Sequence, residues 1–147
     1  YGAFCYDYTL RTFAFVKWPG MKCNEITQQV RTVDFMPTIL DILDIPLDTN
    51  HESLDGESLL PLFNGKSFEE KFAFSETGNP LNDNAPPKIP NTKSIRNSNW
   101  KLIYNEYNKT RELYDLKNDP NEDNNLSGKN LEIEDILIEE ISKYTEI

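Results

Sequence analysis

A chain of 147 residues has room for one domain, or for one domain with a piece of another. Its 25 Asp and Glu against 15 Lys and Arg leave a net charge of −10, with no two basic residues adjacent, which argues against a nucleic-acid backbone or an anionic membrane surface as partner. A single histidine (His51) and two cysteines outside any C-x-x-C spacing leave zinc without ligands, and no apolar run nears the ~20 residues of a membrane span.

Hydrophobic residues make up 37% of the chain and aromatics 12%, too aromatic for a disordered polymer. The composition predicts a folded domain with long wet loops. A disulfide between Cys5 and Cys23 stays open at this level. The chain starts on Tyr1 without a Met, as a piece of a longer protein would. Its compartment therefore stays open between cytoplasmic and periplasmic or secreted.

In chain order, residues 9–18 (TLRTFAFVKW) carry an almost continuous apolar run ended by Pro19-Gly20, the pattern of a strand covered on both faces. Residues 32–45 predict a helix. Thr32 or Asp34 caps it, Asp34 suits the positive N-terminal end, and Pro37 falls in the first turn where its missing N–H is harmless. Val33, Met36, Leu40 and Leu43 form one stripe of this helix, and Phe35, Ile39 and Ile42 a second, so it should contact more than one layer. A linker and a short apolar segment, SLLPLF, follow.

The second half changes period. KFAFSE (71–76) alternates as a half-buried strand, and residues 77–92 hold four prolines and no periodicity. TKSIRN, NWKLIYN and RELYDL predict further short antiparallel strands. Residues 130–147 predict a closing helix capped by Asn130, with Ile133, Leu137, Ile141 and Tyr144 as one stripe. Glu132, Glu134 and Asp135 crowd its positive end. The expected organisation is α/β in class: the edge of a larger domain over 1–50, a linker with a short helix over 51–70, and a small antiparallel sheet with its final helix over 71–147.

Catalytic patterns are missing from these residues. No G-x-S-x-G, Gly-rich phosphate cradle or H-E-x-x-H occurs. Glu76, Glu106, Glu112 and Asp115 are too ordinary in so acidic a chain to read as an acid/base pair. Trp100, Tyr104 and Tyr114 offer an aromatic face that sugars stack on, which would make the chain a carbohydrate-binding module. The one-stripe helix that follows favours core instead.

The blocks YDYTLRTFAFVKWPG, ITQQVRTVDFMPTILDILDIP, DGESLLPLFNG, KSIRNSNWKLIYN and ELYDLKNDPNEDNNL, in this order, resemble the C-terminal portion of a type-I sulfatase of the alkaline phosphatase superfamily. The resemblance covers nearly the whole chain except the 77–92 loop. It implies an edge strand and helix of the large α/β domain, followed by a sheet of about four antiparallel strands under a C-terminal helix.

It implies structural roles for Arg11, Asp34, Pro37, Trp100, Leu113, Tyr114, Asp115, Pro120 and Leu126. Pro120 would fix a turn and Leu126 would anchor the chain ahead of the last helix. The chemistry it implies, a formylglycine nucleophile with a divalent cation, calcium first, lies upstream of Tyr1: Cys5 precedes YDYT and Cys23 precedes NEIT, neither of which is the family's nucleophile motif. Catalytic and metal residues are accordingly expected outside this chain, with only Glu76 and Lys88 as candidates for the substrate cleft. The partners implied are the N-terminal catalytic portion of the same protein and a sulfated small molecule or glycan. The chain alone should be inactive and should self-associate through uncovered apolar surface. A phosphodiesterase or phosphonate hydrolase of the same superfamily is the nearest alternative.

Overall fold

The computed structural model describes residues 4–22, 24–46, 54–78, 92–106, 108–129 and 132–144. By contact density the chain divides into two units, one built from Tyr1–Phe15 with Phe72–Ile147 and the other from Val16–Lys71.

The first unit is a four-stranded antiparallel meander in the order β1 (Ala73–Thr77), β2 (Thr92–Arg96), β3 (Trp100–Asn105) and β4 (Thr110–Asp115). Tight polar turns set its register. Asn97 accepts the backbone N–H groups of Asn99 and Trp100 between β2 and β3, at 2.9 and 2.8 Å. Asn105 accepts that of Asn108 between β3 and β4, where Lys109 takes a left-handed φ of 55°. Such side chains replace ladder partners at the reversal.

Period-two alternation then sorts the sheet into two faces. Phe74, Ile95, Leu102 and Leu113 lie opposite one another across the four strands. They form a core with Tyr104 and with Leu137 and Ile141 of the closing helix α4 (Glu132–Ser142), and Trp100, Leu126 and Ile133 pack against it. This is the predicted sheet-and-helix sandwich, with Tyr144 stacked on Phe74 at 4.6 Å between ring centroids. Asn130, the expected cap, lies outside the described residues. Glu134 reaches back instead, accepting the Ser127 hydroxyl at 2.7 Å and the Gly128 N–H at 2.9 Å.

The opposite face is also closed. Residues 4–10, including the helical turn α1 (Asp7–Leu10), bring Cys5, Tyr6 and Leu10 against Ile103, Tyr114 and Leu116. Two expectations are corrected here. The strand predicted over 9–18 opens inside α1, and residues 11–18 join no sheet ladder among the described residues. Its apolar run is that of a buried strand, yet Phe13 is 87% and Phe15 92% exposed, with nothing among the described residues covering them. And Tyr114 does not share a face with Trp100 and Tyr104: it lies opposite Lys101 on the face that residues 4–10 cover.

In the second unit a 3-10 turn (Thr32–Asp34) leads into α2 (Phe35–Ile42), with Pro37 in its first turn, and α3 spans Leu60–Phe63. Asp34 is buried and does more than cap. Its carboxylate accepts the Arg31 N–H at 2.8 Å and the Glu57 N–H at 3.0 Å and pairs with the Arg31 guanidinium at 2.7 Å. Thr38 donates to the Asp34 carbonyl at 2.5 Å and accepts the Leu59 N–H at 2.9 Å, tying α2 to the segment before α3. Gly56 must lack a side chain, since a Cβ there would sit 2.0 Å from the Val33 carbonyl oxygen. Most of the first predicted stripe is bare, with Ile39 of the second: Val33, Met36, Ile39 and Leu43 are all exposed.

Candidate functional site

The same alternation that turns Trp100, Leu102 and Tyr104 toward α4 sends Lys101 and Ile103 to the other face. Lys101 is fully buried there. Its ammonium lies 2.9 Å from Asp7 Oδ1 and 2.7 Å from Glu122 Oε1, the second contact an ion pair without hydrogen-bond geometry. Arg96, across the β2–β3 register from Lys101, pairs with the other oxygen of Asp7. The circuit closes where the Asp7 backbone N–H donates to Glu122 Oε2 at 2.7 Å. Two cations and two carboxylates balance, as a buried set must. Burial works against the Asp7 carboxylate, but Lys101 and Arg96 outweigh it and hold its pKa below the usual value.

Beside this cluster Glu112 Oε2 accepts two phenols, Tyr6 at 2.7 Å and Tyr114 at 2.6 Å. Burial and then the Glu112 carboxylate push Tyr6 up to about 12 and raise Tyr114 as well. Cys5 is a free buried thiol, 3.7 Å from the Thr92 carbonyl, and burial pushes its pKa up. A protonated, enclosed thiol is a poor nucleophile. Cys23 lies outside the described residues.

The polar stretch 115–126 explains how Glu122 arrives. Asp115 accepts the N–H groups of Lys117 and Asn118 at 3.1 and 3.2 Å, and Asp119 those of Asp123 and Asn124 at 3.1 and 2.9 Å. Exposed Pro120 follows Asp119 with its φ fixed by the ring. Glu122 sits at a left-handed φ of 60°, unusual without glycine. Asn125 then accepts the Leu113 N–H at 3.0 Å, and the Leu126 N–H donates to the Leu113 carbonyl at 2.8 Å. The turn therefore delivers a carboxylate to one face of the sheet and a leucine to the other.

Of the two cleft candidates, Glu76 is exposed on β1 opposite Lys93, which itself pairs with Glu106 at 2.6 Å, and Lys88 lies outside the described residues. Arg11 is exposed. A divalent cation does not fit what is here: no group of three or more His, Cys, Asp or Glu among the described residues can hold one. The clustered carboxylates of Asp7 and Glu122 are already neutralised by Lys101 and Arg96. No helix of the described residues is long and apolar enough to cross a membrane.

The model of a protein family described as N-sulphoglucosamine sulphohydrolase, C-terminal, matches residues 2–146. The chain belongs to this sulfatase family. Its relatives include arylsulfatase K of Rattus norvegicus, 36% identical over 126 residues, a match covering 78% of this chain and 21% of that protein. A sulfatase of Formosa agariphila is 27% identical over 133 residues, covering 85% of this chain and 24% of that one. The chain thus spans about a quarter or less of the curated relatives it matches. A crystal structure of a putative sulfatase from Bacteroides thetaiotaomicron superposes with a TM-score of 0.51 at 23% identity, over 76% of this chain and 23% of that one. A 2-O GAG sulfatase superposes with a TM-score of 0.50 at 24% identity, over the same shares. These likenesses carry the fold: a sulfatase C-terminal region with its four-stranded sheet and last helix.

The sulfatase reading rested on the resemblance of the ordered blocks, VDFMPTILDI together with ELYDLKNDPNEDNNL above all, and the ionic cluster was not singled out in the sequence. One signal was available. Ile103 between Leu102 and Tyr104 breaks the alternation expected of a sheet with one wet face, marking the Lys101 side as buried too.

Proposed function

We propose that the intact protein hydrolyses a sulfate ester, with a formylglycine as nucleophile and a divalent cation, calcium first, both supplied by residues outside this chain. This chain would have no turnover of its own and would form one wall of the substrate cleft. The family match over residues 2–146 carries the reading. The character of the buried polar site supports it: every carboxylate gathered there is consumed by Lys101, Arg96 or a tyrosine, leaving none poised for proton transfer.

The partner within the protein is its catalytic portion. Bare Phe13 and Phe15 in one unit, and the exposed stripe of α2 in the other, are the surfaces it would cover. The substrate class we favour is a sulfated glycan, in keeping with relatives named N-acetylglucosamine-6-sulfatase and 2-O GAG sulfatase. Glu76 stands at the entrance of the 77–92 loop, where Lys88 would also meet it. The aromatic face does not support a separate carbohydrate-binding module, since Tyr104 is buried under α4.

The test is the product of the full reading frame, assayed with an aryl sulfate, a sulfated disaccharide and an aryl phosphodiester. Sulfate release that calcium supports is expected. Phosphate release without sulfate release would replace the reading with a phosphodiesterase or phosphonate hydrolase.

A further inference from the structure

We infer that Lys101 is a positioning residue that couples two distant segments, holding residues 4–10 and the turn 117–125 in place together so that neither keeps its position without the other. The two cations sit on the sheet, Lys101 in β3 and Arg96 at the end of β2. The two carboxylates come from segments that touch the sheet only as visitors: Asp7 from α1 and Glu122 from the turn, 115 residues apart in sequence.

Charge balance makes the coupling. With both segments seated, two cations face two carboxylates in a space where Lys101 and Glu122 are almost completely excluded from water. If residues 4–10 lift away, Lys101 loses Asp7 and with it half of its ionic cover. If the turn lifts away, Asp7 loses both its fourfold circuit and the acceptor of its own N–H, Glu122 Oε2. A buried charge without its partner is far costlier than the pair is favourable. Glu122 adds a second pressure, because its left-handed φ of 60° costs energy that the seated carboxylate helps to offset. Once the ion cluster opens, the turn has reason to relax.

This coupling concerns the chain's own order and holds whichever ester the intact protein cleaves. It also gives the acidic turn a purpose that sequence pattern alone does not: the turn locks the N-terminal stretch, and residues 11–15 with the bare Phe13 and Phe15 continue directly from the locked end.

Amide hydrogen exchange by mass spectrometry on the 147-residue chain tests it. Asp7→Asn keeps the shape and removes a charge, and it should speed exchange across residues 119–126 about tenfold, although position 7 lies in another segment. Glu122→Gln should reciprocally speed residues 6–10. The double variant should cost less than the sum of the two, since the second change finds the cluster already open. Amides of Ile95, Leu102 and Leu113 should stay protected in all three. Lys101→Met should free both segments at once, and should it fail to fold, the Asp7 and Glu122 variants still decide. If each single variant loosens only its own segment and the effects add, the coupling is overturned.

Discussion

Asp7 shows how one residue can carry a pH limb. Burial disfavours its charge, Lys101 and Arg96 more than restore it, and the net result is a lowered pKa in the folded chain. A depressed carboxylate stabilises the fold above its unfolded pKa of about 3.9, and that contribution is lost as pH falls through the lower folded value. The chain should therefore keep residues 4–10 protected at pH 5 and lose them only well below pH 4. Asp7→Asn should flatten this acid limb when stability is followed by denaturant titration. The tyrosines set the opposite limb. Tyr6 is raised to about 12 and Tyr114 is raised too, so the neutral phenols on Glu112 stabilise the fold below about pH 10, and this is lost as pH rises through 12. Ultraviolet titration should show both phenols ionising after the tyrosines of the unfolded chain. Glu112→Gln should bring both down, because the acceptor would no longer be a carboxylate. A normal titration of Tyr6 in the folded chain would contradict the geometry.

At the scale of elements, α4 and the sheet stand or fall together. Leu137 and Ile141 are fully buried between them. Leu137→Ala should destabilise the first unit by about 2–5 kcal/mol, the usual cost of emptying a core site. Ile136→Ala, on the exposed side of the same helix, should cost far less, and equal losses at both sites would place α4 elsewhere. The elements were largely readable because their patterns are local. Alternation marked β1 and β3, a turn after NWKLIYN marked β4 as its returning neighbour, Pro37 and Asp34 marked the start of α2, and the single stripe marked α4 with the face it buries. What sequence could not show was long-range pairing of charges. Ile103 marks the Lys101 side of WKLIYN as covered, but nothing local says which carboxylates meet Lys101 until residues 4–10 and Glu122 are folded over it. Residues 9–18 erred for the complementary reason: the apolar run describes a buried strand, but no layer that would bury it is present among the described residues. Tyr114 was misfaced because it is adjacent to Leu113, and both pack, one on each side of β4.

For the whole molecule, two apolar surfaces stand bare among the described residues. Phe13 and Phe15 in one unit, and Val33, Met36, Ile39 and Leu43 in the other, lie in water here. We expect the isolated chain to self-associate in sedimentation velocity, and Phe13→Ser with Phe15→Ser to reduce this without changing near-ultraviolet dichroism, since neither ring touches a core. A strictly monomeric parent chain would contradict that expectation. The central claim, that these residues shape and support a sulfatase site which they do not contain, is tested most directly by inorganic sulfate release. This chain and the product of the full reading frame would be assayed side by side on an aryl sulfate, with calcium and with chelator. The account predicts release by the full product in calcium and none by this chain under either condition. Turnover by this chain alone would contradict it.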